Sequence, residues 1–291
     1  GTCVIACYTE EPRCNLSACL MGATLMNSGD RFCIGHASRS IHLLACLGVA
    51  VALATPVAAQ NVAATAGPDT RSAPAWGPLT ALGVKIEPGT KQRLASLPMD
   101  DFFGMRMAVP VWIAHGKRPG KTLAVTAGIH GDELNGVEIA RRIFVETDPE
   151  ELAGTLVVLP VLNRHGLLAG TRYMSDRRDL NRAFPGNPNG SSASIIAHSV
   201  FDPVIRKADA LVDLHTASDR RVNLPQIRTD LSSPPAVALA RNFGTGVVLN
   251  GRGPSGSLRR TALDAGIPAI IYEAGGVHVL QTDEIERGVT G

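Results

Sequence analysis

Residues 127–143, AGIHGDELNGVEIARRI, follow the apolar run LAVT at residues 123–126 and lead into a helical pattern. An imidazole and two carboxylates, His130, Asp132 and Glu133, stand between the run and the helix. In α/β proteins, functional groups lie at the carboxyl ends of buried strands, where the chain turns into a loop before the next helix. The segment therefore predicts an α/β fold and a candidate functional site at the same place.

The same alternation of short apolar runs with helical patterns continues along the chain. Several runs, such as LVVLPVL and AIIYE, are apolar on both faces, as expected for strands covered by helices on both sides. We predict a three-layer α/β/α sandwich with a central mixed, largely parallel sheet. The predicted strands are residues 92–97, 108–114, 123–126, 156–162, 210–214, 247–249 and 269–272, and the predicted helices are residues 136–145, 195–208, 235–243 and 258–265, with a turn at 117–121.

Composition narrows the class of partner. The chain has 291 residues, 45% of them hydrophobic, which suffices for one large domain or two small ones. The 28 Lys and Arg residues nearly balance 26 Asp and Glu residues, and no basic stripe interleaved with aromatic residues is present. These features disfavour nucleic acid as a partner.

The N-terminal region has the layout of a secretory leader. Arg39 precedes the apolar run at residues 41–54, and small residues follow at 57–59. This order of charged, apolar and small residues is typical of a signal peptide, and the run is shorter than the roughly 20 residues of a membrane span. We expect cleavage after Ala59, a secreted or periplasmic protein, and no stable membrane insertion after cleavage. A buried helix or an uncleaved anchor is the alternative.

The cysteines bear on the metal chemistry of the mature chain. All six lie within the first 46 residues, where a disulfide or Cys-zinc framework is the competing interpretation. If residues 1–59 are an upstream leader and signal peptide, the remaining chain holds any metal with His and carboxylate ligands. Residues 60–80, rich in Ala, Pro, Ser and Thr, are predicted to be a flexible linker, and residues 81–291 the catalytic domain.

Three predicted strands end in groups suited to a metal site. His130 and Glu133 follow the first, His215 ends the second in DLHT, and Glu273 lies in YEAGG at the end of the third. Two His and one Glu are a ligand set of catalytic zinc, which leaves one position for water. Glu273 could act as the base for that water, and Asp213 could hold His215. Taken singly, each group has a simpler explanation: a carboxylate at a helix N-terminus, a buried histidine, or a core carboxylate paired with arginine.

A further stretch, residues 170–186, GTRYMSDRRDLNRAFPG, concentrates arginines among turn residues. An arginine binds a carboxylate with two parallel hydrogen bonds, and the Asn181–Arg182 pair adds a directional donor next to it. Another arginine could neutralise the oxyanion of a tetrahedral intermediate. The alternative is a solvated basic loop.

Five motifs together resemble the succinylglutamate desuccinylase/aspartoacylase family, a branch of the zinc carboxypeptidase superfamily. They are GIHGDELNG, NRHG, RYMSDRRDLNRAFPG, DLHT and IPAIIYEAGG, they occur in the order of the family, and the resemblance runs from about residue 83 to the end. It implies a zinc carboxypeptidase-like fold and one zinc ion per chain, with His130, Glu133 and His215 as ligands and Glu273 as the general base.

The resemblance also implies substrate-binding roles for the arginine-rich stretch. Asn181 and Arg182 resemble the pair that grips the substrate carboxylate, and Arg172 the arginine that polarises the scissile carbonyl. Arg177 or Arg178 is the alternative for that last role. Arg259 or Arg260, on the helix before the last strand, is expected to reach a second substrate carboxylate.

The function expected from these residues is zinc-dependent hydrolysis of the amide of an N-acyl amino acid or a related small carboxylate. A metallocarboxypeptidase acting on peptides or cell-wall stems, or an esterase, would use the same machinery, and a non-catalytic ligand-binding domain would keep the fold. A serine hydrolase is disfavoured because the chain lacks G-x-S-x-G. Family members continue into a β-rich C-terminal portion, which we expect to be truncated in this chain.

Overall fold

A computed structural model describes residues 3–5, 76–96, 99–100 and 106–291. These residues fall in one compact unit. The predicted signal peptide and cleavage point lie outside the described residues, as does most of the predicted linker. Within the described part of the chain, no helix is both long and apolar enough to span a membrane.

The described elements alternate strands and helices, as the sequence predicts. The strands are β1 (Cys3–Ile5), β2 (Leu79–Ala81), β3 (Val84–Ile86), β4 (Thr90–Ala95), β5 (Met99–Asp100), β6 (Arg106–Met107), β7 (Pro110–His115), β8 (Arg118–Ala127), β9 (Ala153–Leu159), β10 (Ala210–His215), β11 (Asn223–Thr229), β12 (Val247–Asn250) and β13 (Ala269–Gly275). The helices are α1 (Leu134–Glu146), α2 (Arg164–Ala169), α3 (Ser192–Phe201), α4 (Pro234–Phe243), α5 (Leu258–Asp264) and α6 (Thr282–Thr290).

Nine of the described strands form the central sheet, in the order β1-β12-β11-β13-β10-β8-β9-β7-β4. The four middle strands, β13, β10, β8 and β9, are parallel to one another. On one side of these four strands, β11 pairs antiparallel with β13, and β12 and β1 follow in parallel to β11. On the other side, β7 pairs antiparallel with β9, and β4 pairs antiparallel with β7. The mixed, largely parallel sheet predicted from the sequence is confirmed.

Two apolar cores lie on the two faces of this sheet. Alternate residues of β8, Ala124 and Val125, belong to different cores, because successive side chains of a strand point to opposite faces. One core contains residues of α3 and α5, and the other contains residues of α1, α4 and α6. The three-layer α/β/α architecture is therefore also confirmed.

Several predicted boundaries differ from the observed ones. The helix predicted at residues 195–208 ends at Phe201, followed by a 3-10 turn at Ile205–Lys207, because Pro203 cannot continue the α-helical hydrogen bonds. Strand β8 begins within the segment predicted as a turn, at Arg118. Strand β11 and helices α2 and α6 were not predicted.

The folded domain also begins earlier than residue 81. Trp76 donates a hydrogen bond from its indole nitrogen to the Gly116 carbonyl and packs against His115, and β2 starts at Leu79. Residues 76–80, predicted as the end of the linker, therefore belong to the domain. The strand Cys3–Ile5, within the predicted leader, pairs in parallel with β12 at the edge of the sheet.

Candidate metal centre and active-site cleft

The loop between β8 and α1 is shaped by a close backbone contact. A Cβ atom on Gly131 would lie 1.9 Å from the carbonyl carbon of Gly166, so only glycine allows the loop to pack against α2. Gly128, with φ of 58°, makes the turn out of β8 in the left-handed region that favours glycine. The loop then places His130 and Glu133, the N-cap residue of α1, on the same side. The sequence HGDE is thus bent so that both side chains face one point.

His215 meets these two residues from the neighbouring strand. It is the last residue of β10, which lies parallel to β8, so its side chain emerges at the same edge of the sheet. Ligand atoms of His130, Glu133 and His215 lie within 4.8 Å of one another. Nδ1 of His130 lies 2.6 Å from Oε1 of Glu133, and Nδ1 of His215 lies 2.9 Å from Oε2. The structure thus brings together the three residues predicted as metal ligands, all of them buried.

Further carboxylates hold the outer sides of both imidazoles. Asp213, fully buried, lies 2.8 Å from Nε2 of His215 and accepts a hydrogen bond from the Thr126 hydroxyl at 2.7 Å. Asp179 lies 3.3 Å from Nε2 of His130. Because the Nε2 atoms face carboxylates, the Nδ1 atoms are directed at the common point beside Glu133.

The electrostatics of this cluster favour ionised Glu133. Burial by itself raises the pKa of Glu133, but the charges of His215 and then His130 outweigh it, and the pKa falls from 4.5 to about 2. For His215, burial lowers the pKa, whereas Asp213 and Glu133 raise it by more, so that the pKa lies well above 6.5. The cluster holds a carboxylate whose charge needs a cation as partner.

The donor set fits a zinc ion. Zinc prefers nitrogen and carboxylate oxygen ligands in a tetrahedral arrangement and, in catalytic sites, takes three protein ligands. Two imidazole Nδ1 atoms and one carboxylate converge here, and a carboxylate behind His215 completes the arrangement that metal-bound histidines commonly show. A divalent cation would satisfy the charge of Glu133 in place of protonated histidines.

Glu273 lies next to this cluster on β13. Its backbone is paired with that of His215 across the parallel strands, so both side chains emerge on the same face. Burial raises the pKa of Glu273 above 4.5, against the opposing effects of Arg228 and His215. A buried carboxylate with a raised pKa beside a metal site has the properties required of a general base.

An open cleft lies beside the cluster, and part of its wall is formed by Asp179 and Arg172, which contact His130 and Glu133. It is polar, with charged side chains of both signs on its walls. Its lining residues are Asp132, Gly170, Thr171, Arg172, Tyr173, Asp179, Arg182, Ser218, Asp219, Arg221 and His278.

Arg172, predicted to polarise the carbonyl, and Arg182, predicted to bind the substrate carboxylate, lie on this cleft, and Asn181 is adjacent to Arg182 in the chain. Arg172 donates hydrogen bonds to Asp179 at 3.1 Å and to Oε1 of Glu133 at 3.4 Å, so its guanidinium group is close to the predicted metal ligands. Arg182 is half-exposed and donates to the backbone carbonyl of Asn181 at 2.6 Å. The side-chain oxygen of Asn181 accepts a hydrogen bond from the amide of Leu258 at 2.9 Å, which leaves Nδ2 as the group that can donate to a ligand.

The other predicted arginines have different environments. Arg178 is exposed and pairs with Asp176 at 3.1 Å, and it is not among the residues that line the cleft. Arg260 pairs with Asp264 one helical turn away, at 2.8 Å. Arg259 instead is 5% exposed, and its Nε and Nη1 atoms are buried without a hydrogen-bond partner. Burial, with the nearby charge of Arg228, lowers the pKa of Arg259 to about 10.

Sequence analysis missed three residues that contact predicted site residues. Asp179 links His130 to Arg172 and was noticed only as part of the DLNR motif. Asn223 and Arg228 contact the carboxylate of Glu273 from β11. No local pattern indicated these last two, because β11 was not predicted.

Known proteins resemble this chain in sequence and in fold. Residues 119–291 match the model of the succinylglutamate desuccinylase/aspartoacylase catalytic domain. The N-alpha-acetyl-L-2,4-diaminobutyric acid deacetylase of Halomonas elongata is 30% identical over 130 residues, which cover 44% of this chain and 38% of that protein. The match thus spans well under two thirds of this curated relative.

Solved structures share the fold. A succinylglutamate desuccinylase/aspartoacylase from Rhodobacter sphaeroides is 26% identical with a TM-score of 0.63, and covers 73% of this chain and 67% of its own. The product-bound ectoine utilization protein EutE (DoeB) from Ruegeria pomeroyi has a TM-score of 0.64 at 22% identity and the same coverage, 73% and 67%. At that identity the second likeness shows the fold alone.

Proposed function

The chain belongs to the succinylglutamate desuccinylase/aspartoacylase family, and from this premise we propose that it is a zinc-dependent hydrolase acting on an N-acyl amino acid or a related small carboxylate. One observation carries the proposal: ligand atoms of His130, Glu133 and His215 converge within 4.8 Å, on the strand edge that also carries Glu273. The scissile bond in this proposal is the amide between the acyl group and the amino acid.

The proposed mechanism assigns the proton transfers to Glu273, beside the metal cluster, and the stabilisation of the oxyanion to Arg172 on the cleft. A bound zinc ion would lower the pKa of a coordinated water to about 7 and polarise the substrate carbonyl. Glu273 accepts a proton from the attacking water and returns it to the nitrogen of the leaving amine. Arg172 stabilises the oxyanion that develops on the carbonyl oxygen as the tetrahedral intermediate forms.

Substrate binding is assigned to the arginine-rich segment. Arg182 and Nδ2 of Asn181 bind the carboxylate of the amino acid, for which a guanidinium fork has the matching geometry. Arg259 is the candidate for a second carboxylate, because its buried guanidinium has unpartnered donors. Arg178 and Arg260 are less suited to bind a substrate carboxylate than the cleft arginines, because each is already paired with an aspartate near the surface.

Asp132 favours a substrate that also carries a positive charge. It lines the cleft, is 8% exposed, and its Oδ1 is buried without a hydrogen-bond partner. A buried carboxylate oxygen without a hydrogen-bond partner is costly, and an ammonium group of the substrate would offset that cost. The Halomonas relative is named for a substrate with a second amino group. Nα-acetyl-2,4-diaminobutyrate should therefore be hydrolysed faster than Nα-acetyl-2-aminobutyrate, and Asp132→Asn should abolish the difference.

Two other reactions would use the same groups. A metallocarboxypeptidase or an esterase differs only in which acyl compound the cleft accepts. A parallel assay of N-acyl amino acids, short peptides and simple esters separates them by relative kcat/KM. The secreted or periplasmic location is likewise a proposal, and an N-terminus near Gln60 on protein recovered from that compartment is the measurement that tests it.

The role of Glu273 is tested by comparing two substitutions. Glu273→Gln keeps the volume of the side chain but removes the proton acceptor, so kcat should fall by at least about 10²-fold while zinc stays near one per chain. His215→Ala should lose both zinc and activity. Glu138→Gln, on the exposed side of α1, is the matched control and should change neither.

The two substitutions also show how the proposal fails. Loss of zinc from Glu273→Gln would make Glu273 a ligand. Retention of full activity by that variant would place the base elsewhere. A zinc-loaded wild-type protein that hydrolyses no amide, peptide or ester would favour a ligand-binding domain instead.

A further inference from the structure

The carboxylate of Glu273 is held at one of its two oxygens. Nη2 of Arg228 lies 3.0 Å from Oε2, and Nδ2 of Asn223 donates a hydrogen bond to the same atom. Among the described residues, no side chain hydrogen-bonds Oε1. The Glu273 side chain is only 12% exposed, so water does little to orient it. The last torsion of a glutamate is broad and nearly two-fold, so contacts to one oxygen decide where the other lies.

A β-bulge brings Asn223 to this carboxylate. The antiparallel register pairs Gln226 with Glu273 and Asn223 with Gly275, so the step from 223 to 226 on β11 matches the shorter step from 275 to 273 on β13. Side chains alternate along a strand, so without the extra residue Asn223 would point away from the face of Gln226 and Glu273. The bulge reverses the alternation and sets Asn223 on the face of Glu273.

Arg228 reaches the same carboxylate without the bulge. It follows Gln226 by two residues and therefore shares the face of Glu273. Its ion pair with Glu273 is the one that it forms among the described residues, and its Nε is buried without a hydrogen-bond partner. Arg228 is thus not part of a wider surface network. Among the described residues, its ion pair is with the proposed base, Glu273.

From these contacts we propose that Asn223 and Arg228 are positioning residues that fix Oε2 of Glu273 and direct Oε1 at the attacking water. The inference rests on the proposed role of Glu273 as the general base. It assigns a catalytic purpose to the bulged end of β11. Neither residue touches the substrate in this arrangement.

The kinetic test replaces Arg228 and compares kcat with KM. Arg228→Ala should lower kcat by about 10- to 100-fold, because a misplaced catalytic group loses that much rate. Its KM and zinc content should stay close to wild type. Arg228→Lys should retain part of the lost rate, and guanidinium ions should restore part of the activity of Arg228→Ala. Each variant is measured at its own pH optimum, so that an altered ionisation of Glu273 does not imitate lost positioning.

Arg141→Ala is the matched control, because Arg141 forms an exposed ion pair with Glu138 on α1. Its kcat should equal that of the wild type. A raised KM with unchanged kcat in Arg228→Ala would make Arg228 a substrate-binding residue and overturn the proposal. An unchanged kcat and KM would overturn it as well.

A second measurement does not depend on activity. The side-chain amide resonances of Asn223, observed in zinc-loaded protein labelled at asparagine with ¹⁵N, should shift in Glu273→Gln and in Arg228→Ala, and stay in place in Arg141→Ala. If the Asn223 resonances do not shift in Glu273→Gln, the contact between Asn223 and Glu273 is absent in solution and the proposal is overturned. If the wild type hydrolyses no substrate but these shifts occur, the proposed function fails while the contact between β11 and Glu273 stands.

Discussion

Replacing Asp213 by Asn tests the metal centre through a residue that does not bind the metal. Asp213 lies 2.8 Å from Nε2 of His215, and its other oxygen accepts the Thr126 hydroxyl at 2.7 Å. An asparagine can be placed there in two ways. Either its oxygen accepts from Nε2 as a weaker, neutral partner, or its NH₂ group faces Nε2 and forces the proton onto Nδ1, the atom directed at the metal.

Both arrangements weaken zinc binding. Loss of such an outer partner typically lowers metal affinity by about 10- to 100-fold, which corresponds to roughly 1.4–2.7 kcal/mol. The assay is a zinc titration against a competing chromophoric chelator, which reports the dissociation constant without any substrate. Asp209→Asn is the control, because Asp209 is exposed near the start of β10 and pairs with Lys121 at 2.9 Å. If Asp213→Asn binds zinc as tightly as wild type and this control, Nδ1 of His215 is not a ligand.

Three further outcomes follow from the structure. Gly131→Ala should lower the free energy of unfolding by about 1–3 kcal/mol and should also weaken zinc binding, because the new Cβ would meet the backbone of Gly166 at 1.9 Å. Gly246→Ala is the control in urea melts and should be neutral, because no atom lies within 4 Å of its Cβ position. The backbone amide of Thr122, and then Lys121, lower the pKa of Asp209 below 3.8. The ionised carboxylate therefore stabilises the fold above pH 3.8, and this contribution is lost as the pH falls through the lower pKa of the folded state. In urea melts, Asp209→Asn should lose less stability on acidification than the wild type. Zinc at about 100 times its dissociation constant should stabilise the protein by about 2.7 kcal/mol, visible as a higher Tm that a chelator reverses. An unchanged Tm would contradict binding of zinc to the folded protein.

The residues near the ends of the central strands show most clearly what could be predicted from the sequence. His130 follows β8, His215 ends β10, and Glu273 lies two residues before the end of β13, and the apolar residues of each of these strands are recognisable locally. Parallel neighbouring strands bring their carboxyl ends to one edge, so recognising three such strands was enough to predict that the three motifs meet. The HxxE spacing needed no tertiary information, since both residues belong to one loop.

The arginines mark where local information stops. Arg259 and Arg260 are adjacent in sequence, yet one is buried near Glu273 and the other pairs with Asp264 at the helix surface. Successive residues of a helix point about 100° apart, so which of the two turns inward depends on how α5 lies on the sheet. The same limit applies to Arg178, which a neighbouring aspartate holds outside the cleft.

The sequence by itself determined the three layers, most of the central strands and helices, and the ligand-type residues near the strand ends, because hydrophobic periodicity and motif spacing are local properties. Tertiary structure alone decided which side chains surround those residues. Asn223 reaches Glu273 through the register of an antiparallel strand pair and a bulge within it, and Asp179 reaches His130 through the packing of a loop onto α2. These contacts join residues about 50 positions apart, and their geometry is fixed by strand pairing and core packing, which no local pattern of residues encodes.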